Sequence, residues 1–180
     1  MPAQKQALTI ELALLGLVRG QSLHPYELFQ QVQARDGLGC IWRIKQSHLY
    51  AMLDRLEAEG YLRHHLEIQG SRPPRKIFSI TAQGEAIFTE WVITPVARGR
   101  DMRLEFLAKY YFARREGSTV AAQLLARQID CCREWLAEND AKAIALPEGS
   151  FERLVLQYRS GQLQAVLAWL EGCQNSLAEV

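Results

Sequence analysis

The clearest pattern of apolar and polar positions lies between Arg43 and Leu62, and it predicts one amphipathic helix. The apolar side chains recur at the spacing i, i+3, i+4 and i+7, which places them on one face: Leu49, Met52, Leu53 and Leu56. Ser47 is predicted to be the N-cap, because its hydroxyl can accept from a first-turn amide. Gly60 is the predicted end of the helix, since glycine takes the left-handed conformation without a Cβ clash.

The opposite face of this helix opens with side chains that donate hydrogen bonds or carry positive charge. They are Gln46, Ser47 and His48, with the small residue Ala51 beside them and the cations Arg43 and Lys45 just before them. A helix that begins in this way suits a polyanion at its amino end. We therefore predict that Gln46, Ser47 and His48 lie in or beside the major groove of DNA, and that Tyr50 contacts a phosphate.

Two strands are predicted after this helix. Residues 62–69 alternate apolar and polar positions, so Leu62, His64, Leu66 and Ile68 are expected on the buried side of a half-buried strand. Lys76 to Ile80 is the predicted return strand. The stretch from Gly70 to Pro74 is predicted to be loop, because its two prolines cannot donate to a strand ladder. Helix, strand, turn and strand in this order indicate a winged helix.

Positive charge is concentrated in the predicted wing. Residues 60–80 carry Arg63, Arg72, Arg75 and Lys76 against a single acid, Glu67. Because the whole chain has a net charge of only +1, any binding of nucleic acid must come from the local placement of charge. We predict that Arg72, Arg75 and Lys76 meet phosphates or the minor groove.

The part of the chain before this helix is predicted to hold two more helices. Residues 1–7 are expected to be a mobile start. The stretch from Thr9 to Arg19 is apolar almost all round, which fits either a central core helix or a helix covered by a second subunit. Pro25 suits the first position of a second helix that runs to about Arg35. Its buried face is predicted to carry Tyr26, Phe29 and Val32, with Leu28 flanking. Three closely connected helices form a helix-turn-helix.

The remainder of the chain is predicted to be helical. Thr81 is expected to cap a helix, and residues 95–100 mark a boundary, so we divide the chain into domains 1–97 and 98–180. Ser118 or Thr119 is expected to cap a further helix, and Phe151 to Leu170 forms the last long one. About 80 residues of helix make a thin core alone. A second copy of the chain would cover it, since two-fold dimers are common; folding back on the first domain is the alternative.

Composition and motifs limit the class of function. A chain of 180 residues with 48% hydrophobic residues can bury a core. The cysteines have no zinc spacing and are expected to be reduced thiols, which suits the cytoplasm. Neither a signal peptide nor a membrane span is expected. Phosphate-binding glycine loops, nucleophile elbows and metal motifs are not found, so we predict no enzyme and no cofactor.

The chain resembles the PadR family of bacterial transcriptional regulators in several short stretches taken in order. They are Leu12-Ala13-Leu14-Leu15-Gly16-Leu17, His24-Pro25-Tyr26-Glu27-Leu28, Ser47-His48-Leu49-Tyr50-Ala51-Met52-Leu53, Arg55-Leu56-Glu57-Ala58-Glu59-Gly60, and Arg75-Lys76-Ile77-Phe78-Ser79-Ile80-Thr81 with Gly84. The family commonly has glycine where this chain has Pro25. It also commonly has a small residue and threonine where this chain has Ser47-His48, a position expected to face DNA.

The resemblance implies a homodimer that represses a nearby promoter and releases DNA when a small molecule binds. Phenolic acids and hydrophobic drugs are effectors of some members. Aromatic residues are available for such a site, although at helical spacing they are more often core: Trp42, Trp91, Tyr110, Tyr111, Trp135, Tyr158 and Trp169. The predicted fold is mainly α with a small β-hairpin wing, a winged helix-turn-helix followed by an all-α domain. The alternative function is a winged-helix module that binds proteins and not DNA.

Overall fold

The computed structural model describes residues 10–70 and 72–178, except for the side chains of residues 69, 72 and 178. The predicted mobile start, residues 1–7, lies outside the described residues. The chain groups into two units by its contacts. One takes in the described residues up to Val92 together with Arg103–Phe112, and the other takes in Ile93–Met102 and the described residues from Ala113 onward. The architecture is mainly helical with one antiparallel hairpin, which confirms the predicted fold class.

Helix α1 (Ala13–Val18) lies in the core of the first unit and is preceded by a 3-10 turn over Ile10–Leu12. Ala13, Leu14 and Leu15 are fully buried within the single chain. This burial agrees with the interpretation of the segment as a central core helix. Gly16 allows the close approach of two aromatic rings. A Cβ there would lie 2.7 Å from the Phe88 ring and would overlap the Phe112 ring, so even alanine would force these rings apart.

Helix α2 (Pro25–Gln33) begins with Pro25, as predicted. His24 is the N-cap: its Nδ1 accepts from the Tyr26 amide at 3.1 Å, and the Glu27 carboxylate accepts from the His24 amide at 2.8 Å. The prediction of the buried face was wrong at Tyr26. Leu28 is fully buried with Val32, whereas Tyr26 is 50% exposed, because α2 packs through the face centred on Leu28.

Helix α3 (Gln46–Ala58) is the predicted amphipathic helix. Its end is stabilised as glycine predicts: Gly60 has φ +77°, the Gly60 amide donates to the Glu57 carbonyl, and the Tyr61 amide donates to the Leu56 carbonyl, both at 2.9 Å. This is a Schellman arrangement. The predicted N-cap was wrong. Lys45 occupies that position without a side-chain capping bond, because the helix begins one residue before Ser47.

Strands β1 (Leu62–Gln69) and β2 (Arg72–Ile80) form the wing. The predicted loop was wrong over Pro73 and Pro74, which belong to β2; in a two-stranded sheet each strand has a free edge that needs no donor. The predicted burial of β1 was wrong beyond its first residue. Leu62 is buried, but Leu66 is 61% exposed and Ile68 is 80% exposed. At the base of the wing, Leu23 forms an isolated antiparallel β-bridge with Phe78 of β2.

Helix α4 (Ala82–Ile93) follows β2 directly, and Thr81 caps it as predicted. The Thr81 hydroxyl accepts from the Gly84 amide at 3.0 Å and donates to the Gly60 carbonyl at 2.7 Å. The same side chain thus joins the end of α3 to the start of α4. Helix α5 (Glu105–Glu116) follows, and two of its aromatic side chains, Phe106 and Phe112, are buried.

The second unit is built on two long helices, α6 (Ser118–Ile144) and α7 (Phe151–Ala178). The N-cap of α6 is Gly117, so the predicted capping by Ser118 or Thr119 was wrong; both residues lie inside the first turn. The Ser160 hydroxyl, buried on α7, donates to Asp140 of α6 at 2.7 Å. The predicted domain boundary at residues 97 and 98 stays a prediction. By its contacts, the first part of α5 groups with the winged-helix residues.

Candidate nucleic-acid interface

The amino-terminal half of α3 presents an exposed polar surface backed by core. Every predicted site residue on and before this helix is exposed: Arg43, Lys45, Gln46, Ser47, His48 and Tyr50. The four apolar residues of the predicted stripe are buried: Leu49, Met52, Leu53 and Leu56. Burial of one face anchors the helix, so the opposite face is held towards solvent in a fixed orientation.

Helical spacing divides the exposed face of α3 into a middle and two flanks. Ser47 and Asp54 lie in the middle, Gln46 and Tyr50 share one flank with Glu57, and His48 lies on the other flank. The flank that carries Glu57 is the side on which the wing lies, because side chains of both strands contact Glu57.

The segment before α3 is held by the helix before it. The Gln33 side-chain amide donates to the Ile44 carbonyl at 2.7 Å. Trp42, which precedes this segment, is buried. The side chains of Arg43 and Lys45 therefore project from a backbone that is held by Trp42 before them and by α3 after them. Since Lys45 makes no capping bond, the amino end of α3 offers partial positive charge in addition to these cations.

The middle of the helix is joined to the 3-10 turn over Ile10–Leu12 by an ion pair. Arg55 Nη1 lies 2.8 Å from Glu11 Oε1, and Glu11 is buried with 8% exposure. A buried carboxylate needs a partner, and here the partner is a residue of α3. The pair fixes the helix opposite its wing flank.

The wing is attached to α3 through Glu57. Lys76 Nζ lies 2.9 Å from Glu57 Oε2 and 3.8 Å from Asp54 Oδ1, and the other Glu57 oxygen is bonded to His64 Nδ1. Lys76 Nζ also lies 4.7 Å from the centre of the Phe78 ring. Desolvation would raise the pKa of Glu57, but the hydrogen bonds from His64 and Lys76 outweigh it and hold this pKa below its ordinary value.

The three predicted wing cations occupy different surroundings. The Lys76 ammonium is paired with α3, as described above. Arg75 is exposed on the other face of the wing, where the strand register sets it opposite Glu67. The side chain of Arg72 lies outside the described residues. The sequence interpretation missed the contacts of Glu57 and His64. The signal available in the sequence was Glu57 itself, an acid on α3 that precedes the cations of the wing.

Other kinds of site receive no support from the described residues. In residues 10–70 and 72–178, no group of three or more His, Cys, Asp or Glu side chains is placed to hold a metal ion. Cys40, Cys131, Cys132 and Cys173 are free cysteines in the described part of the chain. None of the helices in the described part of the chain is long and apolar enough to cross a membrane.

Family models match both halves of the chain. Residues 14–90 match the model described as the transcriptional regulator PadR-like family, and residues 102–178 match the model described as virulence activator alpha C-term. A curated relative is the negative transcriptional regulator PadR of Bacillus subtilis (strain 168). It is 28% identical over 148 residues, which cover 81% of this chain and 75% of that protein.

Several solved structures align with nearly the whole chain. The crystal structure of Bacillus subtilis PadR in complex with operator DNA is 23% identical, covers 93% of this chain and 98% of that one, and gives a TM-score of 0.47. The structure of the same protein in complex with p-coumaric acid is 22% identical, covers 94% and 98%, and gives 0.42. The PadR-like regulator BC1756 of Bacillus cereus is 20% identical, covers 97% and 99%, and gives 0.44.

Proposed function

Because the chain belongs to the PadR-like family of transcriptional regulators, we propose that it is a sequence-specific repressor that binds operator DNA as a homodimer. The family consists of regulators and not of enzymes, which agrees with the prediction that the chain is no catalyst. The observation that carries the proposal is the exposed polar start of α3, which is backed by four buried apolar residues and flanked by the wing.

The proposed contacts divide into those that read bases and those that hold phosphates. Gln46, Ser47 and His48 have the length and donors to reach base edges in the major groove. Phosphate contacts are assigned to the cations and the phenol around them: Arg43, Lys45, Tyr50, Arg72, Arg75 and Lys76. Lys76 has a second role in this scheme, because its ammonium also neutralises two carboxylates that would otherwise face a polyanion.

The proposed dimer rests on an unusual face of α7. Its residues Leu163, Leu167 and Leu170 are buried, whereas its large exposed apolar side chains lie on the opposite side, within about 60° of one another around the helix axis. These exposed residues are Phe151, Leu154, Tyr158 and Trp169. The stripe is about 27 Å long at the rise of an α-helix. A patch of this kind is typical of a protein interface, and a second copy of the chain provides a self-complementary partner.

Repression and its release are the finer parts of the proposal. The relative from Bacillus subtilis is named a negative regulator, and we propose the same sign for this chain. A dimer reads two half-sites about 34–36 Å apart, so a ligand that changes this spacing weakens binding. We propose a small hydrophobic or aromatic effector. It relieves repression only if it binds the DNA-free form better, since equal affinity for both forms shifts nothing.

The first experiment is a fluorescence anisotropy titration of the full chain with the DNA upstream of its own gene. We expect binding that survives excess non-specific competitor and weakens with salt. A protein that binds this DNA no better than competitor supports the alternative, a winged-helix module for protein contacts. Addition of p-coumaric acid, which was crystallised with the Bacillus subtilis protein, is the first test of release. A regulator of bacterial promoters works in the cytoplasm.

A further inference from the structure

Two large apolar side chains stand exposed on the wing. Leu66 is 61% exposed and Ile68 is 80% exposed, and we call these two residues the apolar tip. They lie on the same face of β1 as Leu62, which is buried, and His64, which is bonded to Glu57 of α3. The apolar tip therefore continues the core-facing side of the strand past the point where other elements cover it.

The apolar tip is held on a stiff support. At its base, the Glu57 carboxylate binds side chains of both strands, His64 and Lys76, and so fixes the wing to α3. Near the end of the hairpin the strand register shifts between Glu67 and Gln69, so that Pro73 and Pro74 of β2 lie opposite the single residue Ile68. Pro73 and Pro74 on the facing strand further restrict the backbone.

The charge of the wing as a whole suits a polyanionic partner, because its cations outnumber its single acid, Glu67: Arg63, Arg72, Arg75 and Lys76. Lys76 is the register partner of Leu66 on the same face, where Glu57 of α3 binds its ammonium, and Arg75 is exposed one residue away on the other face. The single acid of the wing, Glu67, lies opposite Arg75 and so faces away from the apolar tip. The flank of α3 beside the wing carries Gln46 and Tyr50, which belong to the proposed DNA surface. Apolar residues at the end of a positively charged wing, next to the proposed DNA surface of α3, fit the minor groove of the same duplex.

We infer that Leu66 and Ile68 form a wedge that enters the minor groove next to the half-site and partly unstacks a base step. The inference rests on the proposed DNA binding and adds to it a means of bending the operator. Apolar wedges of this kind kink DNA towards the major groove, and the step they enter is selected by its deformability. Flexible pyrimidine–purine steps are therefore preferred at the position beneath the wing, without any hydrogen bond to the bases.

The test measures bending by energy transfer between dyes on the two ends of a short duplex that the full-length protein selects from a random pool. We expect the wild type to bend this duplex by roughly 20–90°. The double variant Leu66→Ser with Ile68→Ser still binds but loses more than half of the bend, and it loses the preference for a pyrimidine–purine step. The variant Ile68→Leu keeps both, because it preserves the apolar volume. His65→Ser, on the opposite face of the same strand, serves as the control and also keeps both.

Other outcomes overturn the inference in distinguishable ways. If the wild type binds its selected duplex without bending it, or the double serine variant bends it equally, the apolar tip is not a wedge while the proposed function stands. If the wild type selects no duplex at all, the proposed function fails. If the double variant changes the mass of the DNA-free protein in light scattering, the apolar tip is a protein contact. Since both residues are exposed, a loss of folding is not expected, and circular dichroism checks it.

Discussion

Lys76 Nζ lies 2.9 Å from Glu57 Oε2, so a cation of the wing is bound by a carboxylate of the proposed recognition helix. The wing and α3 therefore form one structural piece. This pair also predicts that the cations of the wing contribute unequally to DNA affinity, although the sequence presents them as equivalent.

The first prediction concerns the salt dependence of DNA binding. Each phosphate contact that is lost lowers the slope of log K against log salt by about 0.9. We expect Arg43→Ala and Arg75→Ala each to produce a change of this size on all sequences alike. Lys76→Ala should lower the slope by less, because its charge is largely balanced by Glu57 and Asp54 in the free protein. Anisotropy titrations over a salt series measure all three, and an unchanged slope in Arg75→Ala would place that side chain away from DNA.

The second prediction concerns the pH dependence of stability. The pKa of Glu57 is below its ordinary value of 4.5 in the folded chain, since His64 and Lys76 stabilise the carboxylate. A lowered folded pKa contributes stability that is present above the unfolded pKa and is lost as pH falls through the folded one. Urea unfolding at neutral and acidic pH should show this loss in the wild type. Glu57→Gln should be less stable at neutral pH and should lose less on acidification; an identical pH profile would contradict the assignment.

The third prediction separates recognition from folding within α3. His48 is exposed on the helix, so His48→Ala should alter sequence preference more than non-specific affinity. Selection from a random pool by both proteins measures the preference, and identical selected sites would refute the role. Leu53 is the structural control, since it is 1% exposed. Leu53→Ala should cost roughly 2–5 kcal/mol of unfolding free energy.

The fourth prediction concerns a buried ion pair on α5. Lys109 is 2% exposed; its Nζ lies 3.2 Å from Glu105 Oε1, and the Trp91 indole donates to the same oxygen at 3.2 Å. Removal of one partner of a buried pair typically costs roughly 3–5 kcal/mol, and we expect Glu105→Ala to approach this value. The matched control is the exposed pair of Glu138 and Lys142, which has the same i, i+4 spacing. Glu138→Ala should cost only about 0.3–0.5 kcal/mol in urea unfolding.

The fifth prediction concerns the dimer. Truncation after Ala145 should yield a monomer or an insoluble product, but it also uncovers the buried face of α6. A sharper variant is Phe151→Lys with Tyr158→Lys. It places charge on the exposed stripe of α7 and leaves the packing of α7 against α6 unchanged. We expect half the mass in light scattering and weaker operator binding. Gln164→Lys, exposed on α7 away from the stripe, should leave the mass unchanged, whereas a dimeric double variant would rule out this surface.

Local rules in the sequence determined much of the fold. The spacing of Leu49, Leu53 and Leu56 identified α3 and its buried face, because the period of an amphipathic helix is set by backbone geometry alone. Gly60 and Thr81 were identified as the end of one helix and the cap of the next, since each acts on amides within a few residues. The same locality explains why Pro25 was identified as the start of α2.

Only the tertiary structure decided which side chains of each element are covered. Alternation in β1 predicted Leu66 and Ile68 to be buried, but burial requires a neighbouring element, and α3 reaches only as far as His64 and Lys76. Tyr26 was likewise assigned to the core by spacing, although the packing of α2 is centred on Leu28. The pairing of Lys76 with Glu57 joins residues 19 positions apart in the chain. Charge counts along a sequence cannot show such a pair, because its energy depends on a distance that only the folded chain sets.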